Sequence, residues 1–314
     1  MRPSIILVAI AAIILVVVGV IYSTTYVSTP PSTSCSNSGG TIQIVAGENF
    51  WGSLVSQLGG SHVNVTSIVT DPNTDPHAYE SSTADAKAVT NACFVIENGA
   101  GYDVWLSNLV SAAGAAHQTV LNVQQLLGQP TEANPHFWYS PYYVNTTVRA
   151  MYKDLVQIDP ANSAYYKQQY ATLNSSLWTS YMRQEGIIKQ MFSGVPVAST
   201  ESIFVYMANA TGLNIITPPE FMKAVAEGND PSASDIATFQ NQLNGGNSTV
   251  HVLVYNVQTV TPLTQSLLAL ASKNEIPYIR ISETVQPPNF TFQAWMQGEV
   301  GELQNALNAV ALGK

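Results

Sequence analysis

Two of the five histidines in this chain stand directly after a proline, in Asp75-Pro76-His77-Ala78-Tyr79-Glu80 and in Asn134-Pro135-His136-Phe137-Trp138. Proline fixes φ in the residue before each imidazole and stiffens the backbone that presents it. A stiffly held imidazole close to carboxylates is suited to binding a divalent metal ion. Asp75 could cap the next turn, or it could accept a hydrogen bond from a ring nitrogen of His77 and so select which nitrogen is left for the metal. Around His136, the run Phe137-Trp138-Tyr139 would lower the local dielectric and strengthen any ion–ligand attraction. The blander alternatives are a loop histidine capping a helix for His77 and an interface histidine for His136.

Two acidic residues complete the set. Glu201 follows the apolar stretch that ends in Ala198-Ser199-Thr200, and Glu283 follows Ile279-Arg280-Ile281-Ser282 and precedes Pro287-Pro288. Ligands of open α/β sheets bind in the crevice beyond the carboxyl ends of the strands, which is where both glutamates fall. Glu201 could instead only favour a helix dipole, and Glu283 could pair with Arg280 at the surface. Two carboxylates balance a dication's charge while two neutral imidazoles supply borderline nitrogen donors. The remaining histidines, His62 in a Gly-Gly-Ser-His turn, His117 in an Ala-rich loop and His251 at the start of an apolar run, read as structural or solvated.

The elements that must carry these residues alternate. Ile42–Ala46 reads as a strand, Phe50–Leu58 as a short helix stopped by Gly59-Gly60, and Val63–Val69 as a second strand. A helix over Ser82–Asn91, with Ser82 or Thr83 as its N-cap, leads to a third strand at Phe94–Ile96. The pattern returns with strands at Val195–Ala198, His251–Tyr255 and Pro277–Ile281, and with helices at Ser202–Thr211, Pro262–Ala271 and Phe292–Leu312. Such alternation predicts an α/β fold of two lobes, each a parallel-rich β-sheet flanked by helices. Between the two blocks, Ala161–Phe192 contains no proline and repeats Tyr165, Tyr166, Tyr170, Leu173, Leu177, Tyr181 and Met182 at helical spacing. As one helix it would span about 48 Å and act as a rigid connector, its aromatics serving as packing surface and the cleft between lobes as the ligand site.

The N-terminus sets the location. Ile5–Tyr22 is an uncharged apolar run behind Arg2; as a helix it would cover about 27 Å, close to a bilayer's hydrocarbon thickness. The lone arginine places that end in the cytoplasm and the remainder outside the cell. A cleaved signal peptide competes with this reading, but no convincing cleavage site follows. The Ser/Thr/Pro/Gly-rich stretch Ser23–Gly40 is a tether. Cys35, inside it, lies too far past the apolar run for a usual lipoprotein cysteine, and Cys93 reads as part of a buried strand, so no disulfide is expected. The expected divisions are an anchor at 1–22, a linker at 23–40, an N-terminal lobe at 41–159, a connecting helix at 160–192 and a C-terminal lobe at 193–314. Sequons at Asn64, Asn145, Asn174, Asn209, Asn247 and Asn289 permit glycosylation of an exported protein.

With 20 Asp and Glu against 11 Lys and Arg, and no basic cluster, the chain is not built to grip phosphates, which disfavours nucleic acid as a partner. Only 10% of its residues are charged, against roughly 25% in ordinary soluble domains. Uncharged polar residues therefore carry the surface, which suits an extracellular, even acidic, setting.

The motifs in order resemble the metal-specific solute-binding proteins of ABC transporters that serve zinc and manganese import. The resemblance covers about residues 41–312. It rests on Ala46-Gly47-Glu48-Asn49-Phe50, Asp75-Pro76-His77-Ala78-Tyr79-Glu80, Asn98-Gly99-Ala100-Gly101-Tyr102-Asp103-Val104-Trp105 and Pro135-His136-Phe137-Trp138. Thr200-Glu201-Ser202-Ile203-Phe204-Val205-Tyr206, Pro219-Glu220-Phe221 and Thr284-Val285-Gln286-Pro287 extend it. It implies two lobes bridged by one long helix, with a metal ion between them. His77, His136 and Glu201 fall on the family's ligand positions, and Glu283 is the nearest match to the fourth. Ser140 and Cys93 stand where the family often has Asp, and the His-rich loop of many zinc-specific members is absent, leaving Zn2+ and Mn2+ both open.

The function expected is capture of a divalent metal and its delivery to an ABC permease, by a membrane-held monomer that is not an enzyme. Affinity should fall as pH drops through the histidine range near 6.5. One alternative is an extracellular zinc-dependent hydrolase with Glu80 as general base, although His-x-x-Glu lacks the second histidine of the common metalloprotease signature. Another is a protein that binds an organic ligand or serves in adhesion.

Overall fold

Strands that alternate apolar side chains on both faces must be covered twice, and this sequence supplies helices for both coverings. The computed structural model describes residues 40–114, 118–246 and 249–313. The expected anchor, the tether up to Gly39, Cys35, His117 and the sequon at Asn247 lie outside the described residues. Among the described residues no helix is long and apolar enough to cross a membrane.

Four parallel strands form the first sheet: β1 (Ile42–Glu48), β2 (Val63–Val69), β3 (Phe94–Glu97) and β4 (Thr119–Asn122), in the order β2-β1-β3-β4. Its connections carry helices α1 (Asn49–Gly59), α2 (Thr83–Asn91) and α3 (Val104–Ala113), and a single turn, α4 (Val123–Leu126), follows β4. Helix α2 begins with a capping box in which Ser82 and Asp85 satisfy each other's backbone N–H. The long helix α5 (Pro141–Ile158) starts at Ser140, whose hydroxyl accepts from the Tyr143 N–H.

The second sheet repeats the order with β5 (Pro196–Ser199), β6 (Asn214–Ile215), β7 (Leu253–Asn256) and β8 (Tyr278–Ile281) arranged β6-β5-β7-β8, again all parallel. The stretch between the sheets begins with a 3-10 turn at Pro160–Asn162. It continues as α6 (Ser163–Leu177), one π-helical turn at Trp178–Met182 and α7 (Arg183–Phe192). Backbone angles stay right-handed helical at both junctions, so the rod is continuous, but it is not the uniform helix over Ala161–Phe192 that its spacing predicts. The π turn's extra residue lets the adjacent Tyr181 and Met182 both face the core. Around the second sheet lie α8 (Val205–Thr211), α9 (Pro219–Ala226), α10 (Ala233–Asn244), α11 (Pro262–Lys273) and α12 (Phe292–Ala311).

Strand alternation sorts the core into three parts. Ile44, Ala46, Phe94 and Ile96 face a central cluster, while Val45 and Val95 between them face a separate one with Trp105 and Leu106. In the second sheet Val197, Val252 and Val254 join the same central cluster, and Ala198 and Leu253 turn to an outer one with Phe221, Phe239 and Leu267. Leu173, Leu177 and Tyr181 of the connecting rod are buried in the central cluster too. One apolar core therefore runs from the first sheet through the rod to the second, and the expected packing role of the rod's buried aromatics is what the structure shows.

Polar contacts reinforce this join. The Asn49 side chain exchanges two hydrogen bonds with the Val285 backbone, and Gln293 of α12 bonds both Gln57 of α1 and Ser176 of the rod. The carboxyl ends of both sheets open toward this join, and β1 and β5 are the strands at which each strand order reverses, where ligands of such sheets bind.

Candidate metal site

His77 is delivered by the loop after β2. Asp75 caps the 3-10 turn Pro76–Ala78 by accepting from the His77 backbone N–H at 2.9 Å. It thus fixes the backbone under the imidazole, and it is the backbone N–H of His77 that it takes. The ring packs edge-on to Tyr102, with centroids 4.6 Å apart. His77 is the exposed member of the group. Partial desolvation lowers its pKa, with Asp75 opposing the shift.

His136 is its opposite in setting. Nothing of it reaches solvent, and Trp138, Tyr102 and His77 surround it with centroids 5.2, 6.2 and 6.4 Å away. Its Nδ1 donates to Asn134 Oδ1 at 2.6 Å, which leaves Nε2 as the lone-pair nitrogen. That Nε2 is buried without a partner among the described residues. Burial, followed by the neighbouring His77, holds the pKa of His136 well below the usual histidine range. An orphaned buried acceptor is costly, and this one points where a cation would satisfy it. Asn134 itself is tied across to the second sheet's loops, donating to the Ser202 carbonyl at 2.7 Å and accepting from the Tyr206 hydroxyl at 2.9 Å.

The two glutamates arrive from the ends of β5 and β8, and each is 1% exposed. Glu283 Oε2 accepts from the Tyr102 hydroxyl at 3.0 Å, and its Oε1 accepts from the Asn256 amide. Burial pushes its pKa up to about 7. Glu201 Oε1 accepts from the same Asn256 amide at 2.9 Å, while its Oε2 is buried and without a partner among the described residues. Burial first, and then the Glu283 charge, raise its pKa well above the carboxylate range. Arg280 pairs with neither, since the one ion pair among the described residues is the exposed Lys223–Glu227 contact.

One nitrogen from each imidazole and one oxygen of Glu283 lie within 4.8 Å of one another. Glu201 stands outside that triangle, joined to it through the shared Asn256 amide. The imidazoles, held neutral, are ready to bind a divalent ion, whereas Glu283 must shed a proton to do so, because each ligand binds in its deprotonated form. Glu80, cast above as a possible base, is exposed and not among the converging donors. A surface cavity of about 540 Å³, lined by Arg280, Pro287, Phe290, Trp295 and Glu302, opens beside Ser282 without including the four residues.

Sequence reasoning passed over the residues that hold these donors. Tyr102 is placed by a loop in which Asp103 accepts from the Asn98 and Gly99 N–H groups at 2.6 and 2.8 Å. Gly99 has φ +76°, and a Cβ there would sit 2.7 Å from Asn122 and Gln124. Glu299 of α12 accepts from Trp295, Tyr139 and Ser282 and so pins the turn before Glu283; burial pushes its pKa up to about 8. Asn256 falls just after the apolar run that marks β7, so the same rule of strand ends that points to Glu201 and Glu283 points to it.

The sequence profile described as ZnuA, zinc-uptake complex component A, periplasmic, matches residues 44–306. The manganese ABC transporter substrate-binding lipoprotein PsaA of Streptococcus pneumoniae is 26% identical over 199 residues, which span 58% of this chain and 63% of that protein. The zinc-binding protein TroA of Treponema pallidum is 22% identical over 173 residues, 52% of this chain and 54% of that protein. The chain thus spans less than two thirds of the length of these curated relatives. Among solved structures, that of ZnuA superposes with a TM-score of 0.69 at 21% identity, covering 85% of this chain and 99% of that one. A cadmium-bound periplasmic metal-binding protein from Candidatus Liberibacter asiaticus gives 0.70 at 16%, covering 84% and 98%. At these identities the superpositions speak for the fold.

Proposed function

The chain belongs to the ZnuA family, named for the periplasmic component A of a zinc-uptake complex, and on that premise we propose that it is the solute-binding component of an ABC importer. In this reading it captures a divalent transition metal, zinc or manganese, between its two sheets and hands it to the membrane permease. The observation that carries the proposal is the convergence of His77, His136 and Glu283 around an orphaned buried nitrogen, with Glu201 linked to the same group through one amide. The site is that of a carrier: the ion is cargo, and His77 at its rim is the donor through which it enters and leaves.

The remaining parts serve that task in the same proposal. Residues 1–22 hold the protein on the outer face of the cell membrane, residues 23–40 give it reach, and it acts as a monomer. Lobes at 41–159 and 193–314 grip the ion, and the connecting helix at 160–192 keeps them from swinging apart, so release proceeds by small local shifts. The test is titration of the chelator-stripped full-length protein with zinc and with manganese. One equivalent of bound ion is expected, with a rise in melting temperature by mass action. Failure to bind either ion, or binding unchanged in His136→Ala, removes the proposal.

A further inference from the structure

Asn256 ends β7 at 1% exposure and spends its whole side chain on the site. Its Nδ2 donates to Glu201 Oε1 and to Glu283 Oε1, one hydrogen for each carboxylate, and its Oδ1 accepts from the Gln258 N–H at 2.9 Å. The amide cannot turn over, because a flip would aim its oxygen at two carboxylates and its NH2 at an N–H group. Gln258 braces the same arrangement, accepting from the Glu283 N–H and donating to the Thr74 carbonyl at 3.1 Å.

This geometry limits how the glutamates can meet an ion. Accepting one hydrogen bond leaves each Oε1 a second lone pair, but the bond fixes the tilt of the carboxylate, and turning it to bring both oxygens onto one ion would strain or break a buried hydrogen bond. With Oε1 held, each carboxylate has one oxygen to offer: Oε2 of Glu201 is without a partner, and Oε2 of Glu283 has a lone pair beyond the one that takes the Tyr102 hydroxyl. Two nitrogens and two oxygens make a four-donor set. Zinc is satisfied by four ligands in a tetrahedron, whereas manganese favours an oxygen-rich octahedron.

We infer that Asn256 is a specificity-determining residue, which holds both carboxylates to one ligating oxygen each and thereby favours a four-coordinate ion, zinc, over manganese. This rests on the metal-capture reading above. Any nitrogen–oxygen site prefers zinc to manganese to some degree, so the test is the change in that preference.

Zinc and manganese affinities are measured by chelator competition on the full-length protein, its Asn256→Leu variant and its Asn256→Asp variant. Asn256→Leu removes the donors and Asn256→Asp keeps the shape while replacing donors by an acceptor. Both are expected to narrow the zinc-over-manganese ratio by about 10-fold or more, the range of outer partners of metal ligands. A ratio unchanged in a variant that keeps the parent's circular dichroism overturns the inference and leaves the metal-capture reading standing. Loss of both ions from the unaltered protein overturns both. X-ray absorption at the zinc edge of the unaltered protein needs no variant: four light ligands are expected, and five or six contradict the inference.

Discussion

The two halves of the site are built on different plans. From the first sheet come two imidazoles in unlike settings: His136, sealed in and oriented by Asn134, and His77, exposed, capped at its backbone by Asp75 and packed by its ring on Tyr102. From the second sheet come two carboxylates that are both buried and yoked by one amide. The carboxylate half is thus set before an ion arrives, at the cost of holding acids where water cannot reach them. The imidazole half keeps one member at the surface. A carrier needs both properties, since selectivity asks for fixed donors and release asks for a donor that can leave.

Breaking the fixed members should therefore cost most. Glu283→Ala and His136→Ala are expected to lower metal affinity by more than about 100-fold, beyond the range of outer partners. His77→Ala is expected to lower it less than either, and equal losses at His77 and His136 would erase the contrast between them. Asn134→Ala frees the His136 ring and should cost about 10- to 100-fold with the fold intact. Tyr102→Phe removes one of the hydrogen bonds to Glu283 and should lie at or below the lower end of that range.

Acidity sharpens the comparison further. The imidazoles resist protonation below the usual histidine range, whereas Glu283 takes a proton at about 7. The proton that first competes with metal is therefore a carboxylate's, and affinity should begin to fall near pH 7, about tenfold per unit for one displaced proton. A profile flat down to pH 5 would contradict this.

The smallest effect concerns the metal-free protein. Glu299, Glu283 and Asp103 keep their protons to about 8, 7 and 7 when folded, while the unfolded chain loses them near 4. The folded state binds more protons across that window, so its stability is full below the unfolded values and declines as pH rises through the folded ones. The two depressed histidines act oppositely, losing stability only below about 6.5. The melting temperature of the stripped protein is expected to fall between pH 6.5 and 8.5, and a rise would refute the assignment of buried, protonated acids.

What the sequence disclosed follows from how strongly each feature is patterned. Strands β1, β3 and β7 are largely apolar because both faces are buried, and they stand out at Ile42, Phe94 and Leu253; β6, only two residues long, does not. Helix α5 escaped notice because its first two turns carry Tyr142, Asn145 and Thr146, with charges appearing only from Arg149 on, so little contrast marks its buried Val144 and Val148. Ser140-Pro141, a capping residue and a proline at the first helical position, is the signal that was there to read. The four candidate donors were legible as His, Glu and strand ends. Asn256 was legible as a strand end but its role was not, because the two carboxylates it joins, Glu201 and Glu283, are brought to it only by the fold.

Anomalous diffraction at the zinc edge from crystals of the zinc-loaded protein tests the site between the sheets most directly. The predicted result is a single peak between the sheets, about 2.0–2.2 Å from a nitrogen of His77, Nε2 of His136 and one oxygen each of Glu283 and Glu201. A peak bound by residues of one sheet alone, or no peak in crystals that hold zinc elsewhere, would contradict it.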